Sequence, residues 1–133
     1  MRATTEGAVI NEGFLVAGLI AIVTFCVHTF VGEIYVVRPL LAVERLSRAS
    51  RWLNFYCWHV TTIVIAAMAG VFLFAAWRLD VFVTAALFTG LAAAFALLCA
   101  GVAIRGGVPP FRFPALTLFA LIALAGSWGV YAA

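Results

Sequence analysis

Lysine is missing altogether from this chain of 133 residues, and charge of either sign is scarce. Charged side chains make up 10% of the sequence, against roughly a quarter in ordinary soluble domains. Eight arginines and five acidic residues are too few to cover the surface of a soluble domain or to keep a disordered tail solvated. The three cysteines, Cys26, Cys57 and Cys99, form no CxxC pair. A disulfide scaffold, a thiol redox motif and a structural zinc site are therefore unsupported, and small apolar fillers are the expected role. What the chain has instead is apolar side chains, at 67% where about 45–50% is usual, and a mean hydropathy of +1.20. The net charge of +3 comes without the polar surface of a nucleic-acid-binding module. This composition is that of an integral membrane protein.

About 20 helical residues cross a hydrocarbon core, and four apolar stretches are long enough. They run over residues 14–37, 52–77, 81–104 and 114–131. Arg38-Pro39 is expected to end the first, because the residue before a proline disfavours helix. Arg78-Leu79-Asp80 makes a short turn, and a Gly/Pro-rich connection leads to Pro114, which suits a first helical position. Ten-residue alternation, the mark of a membrane strand, is lacking. The expected fold is all-α, a four-helix transmembrane bundle forming a single integral membrane domain over residues 1–133.

Arg38, Arg45, Arg48 and Arg51 fall in the first loop and Arg105 and Arg112 in the third, with only Arg2 and Arg78 on the other side. The positive-inside rule then places both long loops in the cytoplasm and both termini outside. Glu6 and Glu12 stand where a cleavable signal would carry positive charge, so no signal peptide is expected. Tyr35, Trp52 and Tyr56 form one expected interfacial belt, and Trp77, Trp128 and Tyr131 the other. Between Pro39 and Arg51, Leu40, Leu41, Val43 and Leu46 alternate with Glu44, Arg45, Arg48 and Arg51. This pattern predicts a short interfacial helix, with Glu44 and Arg48 paired at i,i+4. Arg45, Arg48 and Arg51 would then meet anionic lipid headgroups. Small residues recur at helical spacing as Ala66/Gly70, Ala86/Gly90/Ala94 and Ala125/Gly129, a pattern that lets membrane helices approach closely.

Ionisable residues inside a span are costly and are functional candidates by default. His28 and Glu33 lie in the first span and His59 in the second. Counting from the loop puts the two imidazoles at similar depth, mismatched by about 3 Å. On a regular helix Thr24, His28 and Tyr35 share a face, while Glu33 stands about 140° from His28, so a His28–Glu33 dyad is not expected. His59 shares its face with Trp52, Phe55, Ile63, Ala66 and Gly70, which predicts that it points into a packed interface. The histidines can act as neutral, hydrogen-bonded ties to Thr24 or Thr62 or across the helix pair. They can also ligate a haem, another tetrapyrrole or a metal, with Gly32 leaving room beside a macrocycle. A proton relay is the third possibility. Glu33 is a buried polar residue expected to snorkel toward Arg38 or Arg51.

The segment His28-Thr-Phe-Val-Gly-Glu33 before Val-Arg-Pro39-Leu, and Trp58-His59 followed by Thr61-Thr62, resemble small four-helix inner-membrane proteins of bacteria. That resemblance covers most of the chain and implies a class, a multi-pass protein of the bacterial inner membrane, without an activity. No nucleophile is paired with a base, so an enzyme is not expected. The leading expectation is a non-catalytic accessory or scaffolding subunit that packs against a larger membrane complex or its own copies. The alternatives are a haem-, tetrapyrrole- or metal-binding electron-transfer protein using His28 and His59, and a small proton-coupled transporter or channel.

Overall fold

The computed structural model of the chain describes residues 10–133; Arg2 and Glu6 lie outside them. The regular structure of the described residues is all helical, with no strand. Four helices are long and apolar enough to cross a membrane: α1 (Glu12–Ala42), α2 (Arg48–Trp77), α3 (Phe82–Arg105) and α4 (Pro114–Tyr131). All four expected spans are present, and the chain is that of a multi-pass membrane protein. The first two helices run further than expected, and they do so toward each other.

α1 does not stop at Pro39. Its backbone is α-helical over Glu12–Cys26, π-helical over Val27–Val31 and Glu33–Val37, and helical again over Arg38–Ala42. In a regular helix a proline ring strikes the carbonyl four residues back and removes a hydrogen bond. Here the Arg38 amide bonds the carbonyl of Glu33, five residues back. That wider turn lets the helix accept Pro39. The expected interfacial helix over Pro39–Arg51 is consequently not a separate element. Its ends belong to α1 and α2, and residues 43–47 form the turn between them. Ser47 caps α2, its Oγ accepting from the Ser50 amide at 3.1 Å. Glu44 is thereby left off the helix that carries Arg48, and no ion pair joins them among the described residues.

The packing order across the molecule is α2–α1–α4–α3. α1 lies against both α2 and α4, and α4 against α3 as well. α2 and α3, although joined by the short turn Leu79–Val81, make little contact. The core gathers at the end of the molecule that holds Asn11, Trp77 and Tyr131. Phe14, Ile65, Met68, Phe72 and Ile122 are fully buried there, Phe14 and Phe72 stack at 6.1 Å, and Phe95 meets Phe119 at 5.0 Å. Between lipid-facing helices the attraction is close packing, not escape from water, so backbone approach matters. At Gly13 and Gly129 it is closest: a Cβ on Gly13 would strike the Gly129 backbone, and one on Gly129 would strike the Phe14 ring.

Asn11 ties three helices at this end. Its Oδ1 accepts from the Phe14 amide at 3.0 Å, capping α1. Its Nδ2 donates to the Gly129 carbonyl in the last turn of α4, and its own amide donates to the Ala76 carbonyl of α2, each at 2.9 Å. Two buried threonines satisfy their hydroxyls within their own helices: Thr24 donates to Ile20 and Thr89 to Ala85, whereas the Thr29 hydroxyl is buried without a partner.

Helix lengths differ along the row. With 31, 30, 24 and 18 residues, α1 to α4 measure about 46, 45, 36 and 27 Å at 1.5 Å per residue. Because Asn11, Ala76 and Gly129 fix the common end, the α1–α2 hairpin projects about 20 Å beyond the start of α4 at the other end. That end carries Arg38, Arg45, Arg48, Arg51, Arg105 and Arg112.

Candidate functional site

The polar residues of the spans gather where α1 leaves α4 behind and keeps only α2 for company. His28 lies in the first π turn and is half-buried. Its ring stacks on Trp58 of α2, with centroids 3.9 Å apart and planes 13° from parallel. His28 Nε2 sits 3.3 Å from the Trp58 carbonyl oxygen, a bond that the Nε2–H tautomer donates. The same carbonyl accepts from the Thr62 hydroxyl at 3.2 Å. The imidazole thus ties α1 to α2, while Thr24 serves its own helix.

The space beside Gly32 is filled. A Cβ there would come within 2.5 Å of the Trp58 ring, so the glycine admits an indole and not a macrocycle. Trp58 is the residue that the sequence reading missed as a partner. The available signal was the spacing itself: His28 and a glycine one turn later leave a hollow the size of a large ring, and Trp58 stands at the matching depth on α2.

His59 differs from the expectation. It is exposed, with its ring edge-on to Phe55 at 4.4 Å and 85°, and Phe55 is edge-on to Trp52 at 5.6 Å. The two histidines do share a level, since His28 stands opposite Trp58. They do not share a face, because His28 takes the side of α2 turned to α1. The rest of the His59 stripe, namely Trp52, Ile63, Ala66 and Gly70, is exposed as well.

The π turns also explain why Tyr35 is 75% exposed while Val37 is buried. Along α1 the residues turned inward run Thr24, His28, Gly32 and then Val37, a step of five where a regular helix would take three or four. An i→i+5 turn places residue i+5 over residue i. It brings Arg38 over Glu33, with Nε 3.9 Å from Oε1, the Arg38 side chain 70% exposed and that of Glu33, expected to be buried, 40%. Glu33 therefore meets Arg38, one of its two expected partners, in a long and weak contact. No ion pair joins Glu33 to His28 among the described residues.

Apart from Arg38 and Arg78, which meet Glu33 and Asp80, the described arginines divide into two sets. Arg51 is half-buried and its Nη1 donates to the Leu41 carbonyl at 3.2 Å, capping the last turn of α1, where a positive charge is favourable. Its Nε is buried without a partner. Arg45, Arg48, Arg105 and Arg112 are exposed, and none forms an ion pair among the described residues. Cys26 and Cys57 are exposed and Cys99 is half-buried, all three as free thiols, so two of the expected fillers lie on the surface. No three His, Cys, Asp or Glu side chains among the described residues gather closely enough to hold a metal ion.

Compared with protein-family models, curated proteins and solved structures, the chain matches none of them.

Proposed function

We propose that the chain is a non-catalytic, multi-pass accessory subunit that packs against other membrane helices. It sits in a bacterial inner membrane with both termini outside and its arginine-bearing loops in the cytoplasm. The sidedness follows from Arg38, Arg45, Arg48, Arg51, Arg105 and Arg112 all lying at one end. The bacterial membrane follows from the resemblance of the His28–Glu33 and Trp58–Thr62 segments.

One observation carries the reading. The glycines fall into two groups, those pressed against a neighbour and those with open space where a neighbour would be. Gly13, Gly18, Gly126 and Gly129 meet the opposing helix, whereas Gly70, Gly90 and Gly101 have nothing within 4 Å. Ala66/Gly70 and Gly90/Ala94 face outward on α2 and α3, the two helices at the ends of the row, and only Ala125/Gly129 is used inside. Small-residue faces exact a packing penalty against lipid and repay it against another helix. The test is cysteine cross-linking in native membranes from Gly70 and Gly90 in a background without Cys26, Cys57 and Cys99. Adducts of discrete mass support the reading, and a protein that cross-links to nothing and purifies as a lone monomer refutes it.

A second reading has its own observation, the exposed His59 imidazole, which makes no hydrogen bond among the described residues. It offers a ligand to a tetrapyrrole or metal from outside the fold, whereas His28 has its Nε2 committed to Trp58. An absorption band in protein purified gently from its native membrane, lost in His59→Ala and kept in His28→Ala, would favour it.

A further inference from the structure

The tip of the α1–α2 hairpin carries more positive charge than the fold uses. Arg38 is engaged by Glu33 and Arg51 by the Leu41 carbonyl. Arg45 and Arg48 are left on and beside the turn, exposed and unpaired among the described residues, and Glu44 is the remaining acid there. Just below the tip the two arms expose aromatic and aliphatic side chains: Tyr35 at 75% and Ile34 on α1, and Trp52, Leu53 at 62% and Tyr56 on α2.

The level of these residues decides what covers them. From the Asn11 end, a hydrocarbon core of about 30 Å ends near Gly32 on α1, Cys57 on α2 and Arg112 before α4. Arg112 thus sits at the core boundary, and the tip stands about 15 Å further along the hairpin. The headgroup layer accounts for roughly 5–7 Å of that. Upright arms put Tyr35, Leu53 and Trp52 about 4–8 Å beyond the core boundary, at headgroup depth, but hold Arg45 and Arg48 above the lipid phosphates. Tilted arms keep the aromatics at headgroup depth, the level that Trp and Tyr prefer. Tilt also lowers Arg45 and Arg48 to the plane of the lipid phosphates, and a long span accommodates a thinner core in this way. The π turns at Val27–Val37 lie where α1 parts from α4, so the arms have room to lean.

We infer that the hairpin tip is a docking site for anionic phospholipid. Arg45 and Arg48 take the headgroup phosphate, while Trp52, Tyr35 and Tyr56 hold the arms in the headgroup layer. Charge complementarity selects this occupant: exposed guanidiniums pair bidentately with phosphate, and the aromatics beneath them match the acyl–headgroup boundary. Arg51 is committed to the Leu41 carbonyl and Arg38 stands lower on α1 beside Glu33, so neither sets the preference.

The test is competition between phosphatidylglycerol and phosphatidylcholine for the full chain in mixed micelles, read as retained lipid adducts by native mass spectrometry. A preference for phosphatidylglycerol is expected that falls about fivefold for each of Arg45→Gln and Arg48→Gln, as ~1 kcal/mol per arginine at an anionic surface predicts. Arg38→Gln is expected to leave it within twofold. Circular dichroism checks that the variants keep their helix. Equal retention of both lipids by the native chain would overturn the inference, and so would a preference that follows Arg105 and Arg112 instead. Displacement of the adducts by inorganic phosphate would assign the site to free anion, and a polypeptide shielding Arg45 and Arg48 in native membranes would assign it to a protein. Either result would overturn the lipid assignment.

Discussion

α1 and α2 run the full length of the molecule, yet their two halves live in different surroundings. Around Asn11 they are regular helices with α4 and α3 beside them, and Phe14, Met68 and Phe72 lose all contact with the outside. Around Arg51 they have only each other. The backbone of α1 loosens into π turns, and the side chains that hold the pair together are few: His28 on Trp58, Trp58 on Gly32, Arg51 on Leu41. In the first half stability is spread over a buried core of Phe14, Ile65, Met68, Phe72 and Ile122 and the close approach of Gly13 to Gly129. In the second it rests on a handful of large or polar side chains, and such a region yields first when the protein opens locally.

The sharpest way to break this contrast is to add bulk to glycines of the two kinds. Gly129→Leu drives a side chain into Phe14 and is expected to cost about 3 kcal/mol, read by unfolding in mixed micelles followed by circular dichroism. Gly90→Leu adds the same atoms where nothing lies within 4 Å, and should change stability by less than about 0.5 kcal/mol. Equal effects would mean that the two groups of glycines are not different.

Asn11→Ala comes next. It removes the α1 cap and the bond to Gly129, for an expected loss of about 2 kcal/mol. Hydrogen exchange should show the loosening at the Ala76 and Gly129 end and leave the Arg51 end unaltered. If the far end exchanges faster too, the halves are one cooperative unit.

In the open half the expected effects are smaller and coupled. Gly32→Ala should destabilise by about 1 kcal/mol because its methyl meets the Trp58 ring. In a Trp58→Ala background the same change should be neutral, giving an interaction energy of about 1 kcal/mol in a double-mutant cycle. Additive effects would remove Trp58 from its place on Gly32. Glu33→Gln is the mildest change, under about 0.5 kcal/mol for an exposed pair at 3.9 Å. Its effect should be no larger in low salt than that figure allows.

Span number and the apolar character of each helix were legible in the sequence, because length and hydropathy are local properties. The facing of each helix was not, and the reason is physical. A soluble helix advertises its buried side by contrast with a polar one, whereas here lipid-facing and protein-facing sides are equally apolar. On α3 the packed line is Ala85, Thr89, Ala92 and Ala96, and the Ala86, Gly90 and Ala94 stripe, which sequence could assign neither to the monomer nor to a partner, runs beside it. For the same reason sequence could not tell that His59, expected in a packed interface, is exposed in the single chain. For Tyr35 the cause was different: angular bookkeeping at 100° per residue fails past Cys26, where the backbone changes its repeat. The depth match of the two histidines and the Glu33–Arg38 partnership survived, since they depend on distance along the chain and on charge more than on facing.

The loosened stretch of α1 also changes what the chain can afford to lose. A π turn closes its hydrogen bond over one residue more than an α turn does, so residues 27–37 hold a surplus that the neighbouring turns do not. Deleting one residue between Gly13 and Cys26 would swing everything beyond it by about 100° and pull the Asn11 cap or the His28 stack out of line. Deleting one residue between Val27 and Val37 can be absorbed by a π turn closing down to an α turn, with both flanks keeping their direction. Along the described part of α1, this is where the length of the gene can vary by a codon without turning the far end of the helix to a new side.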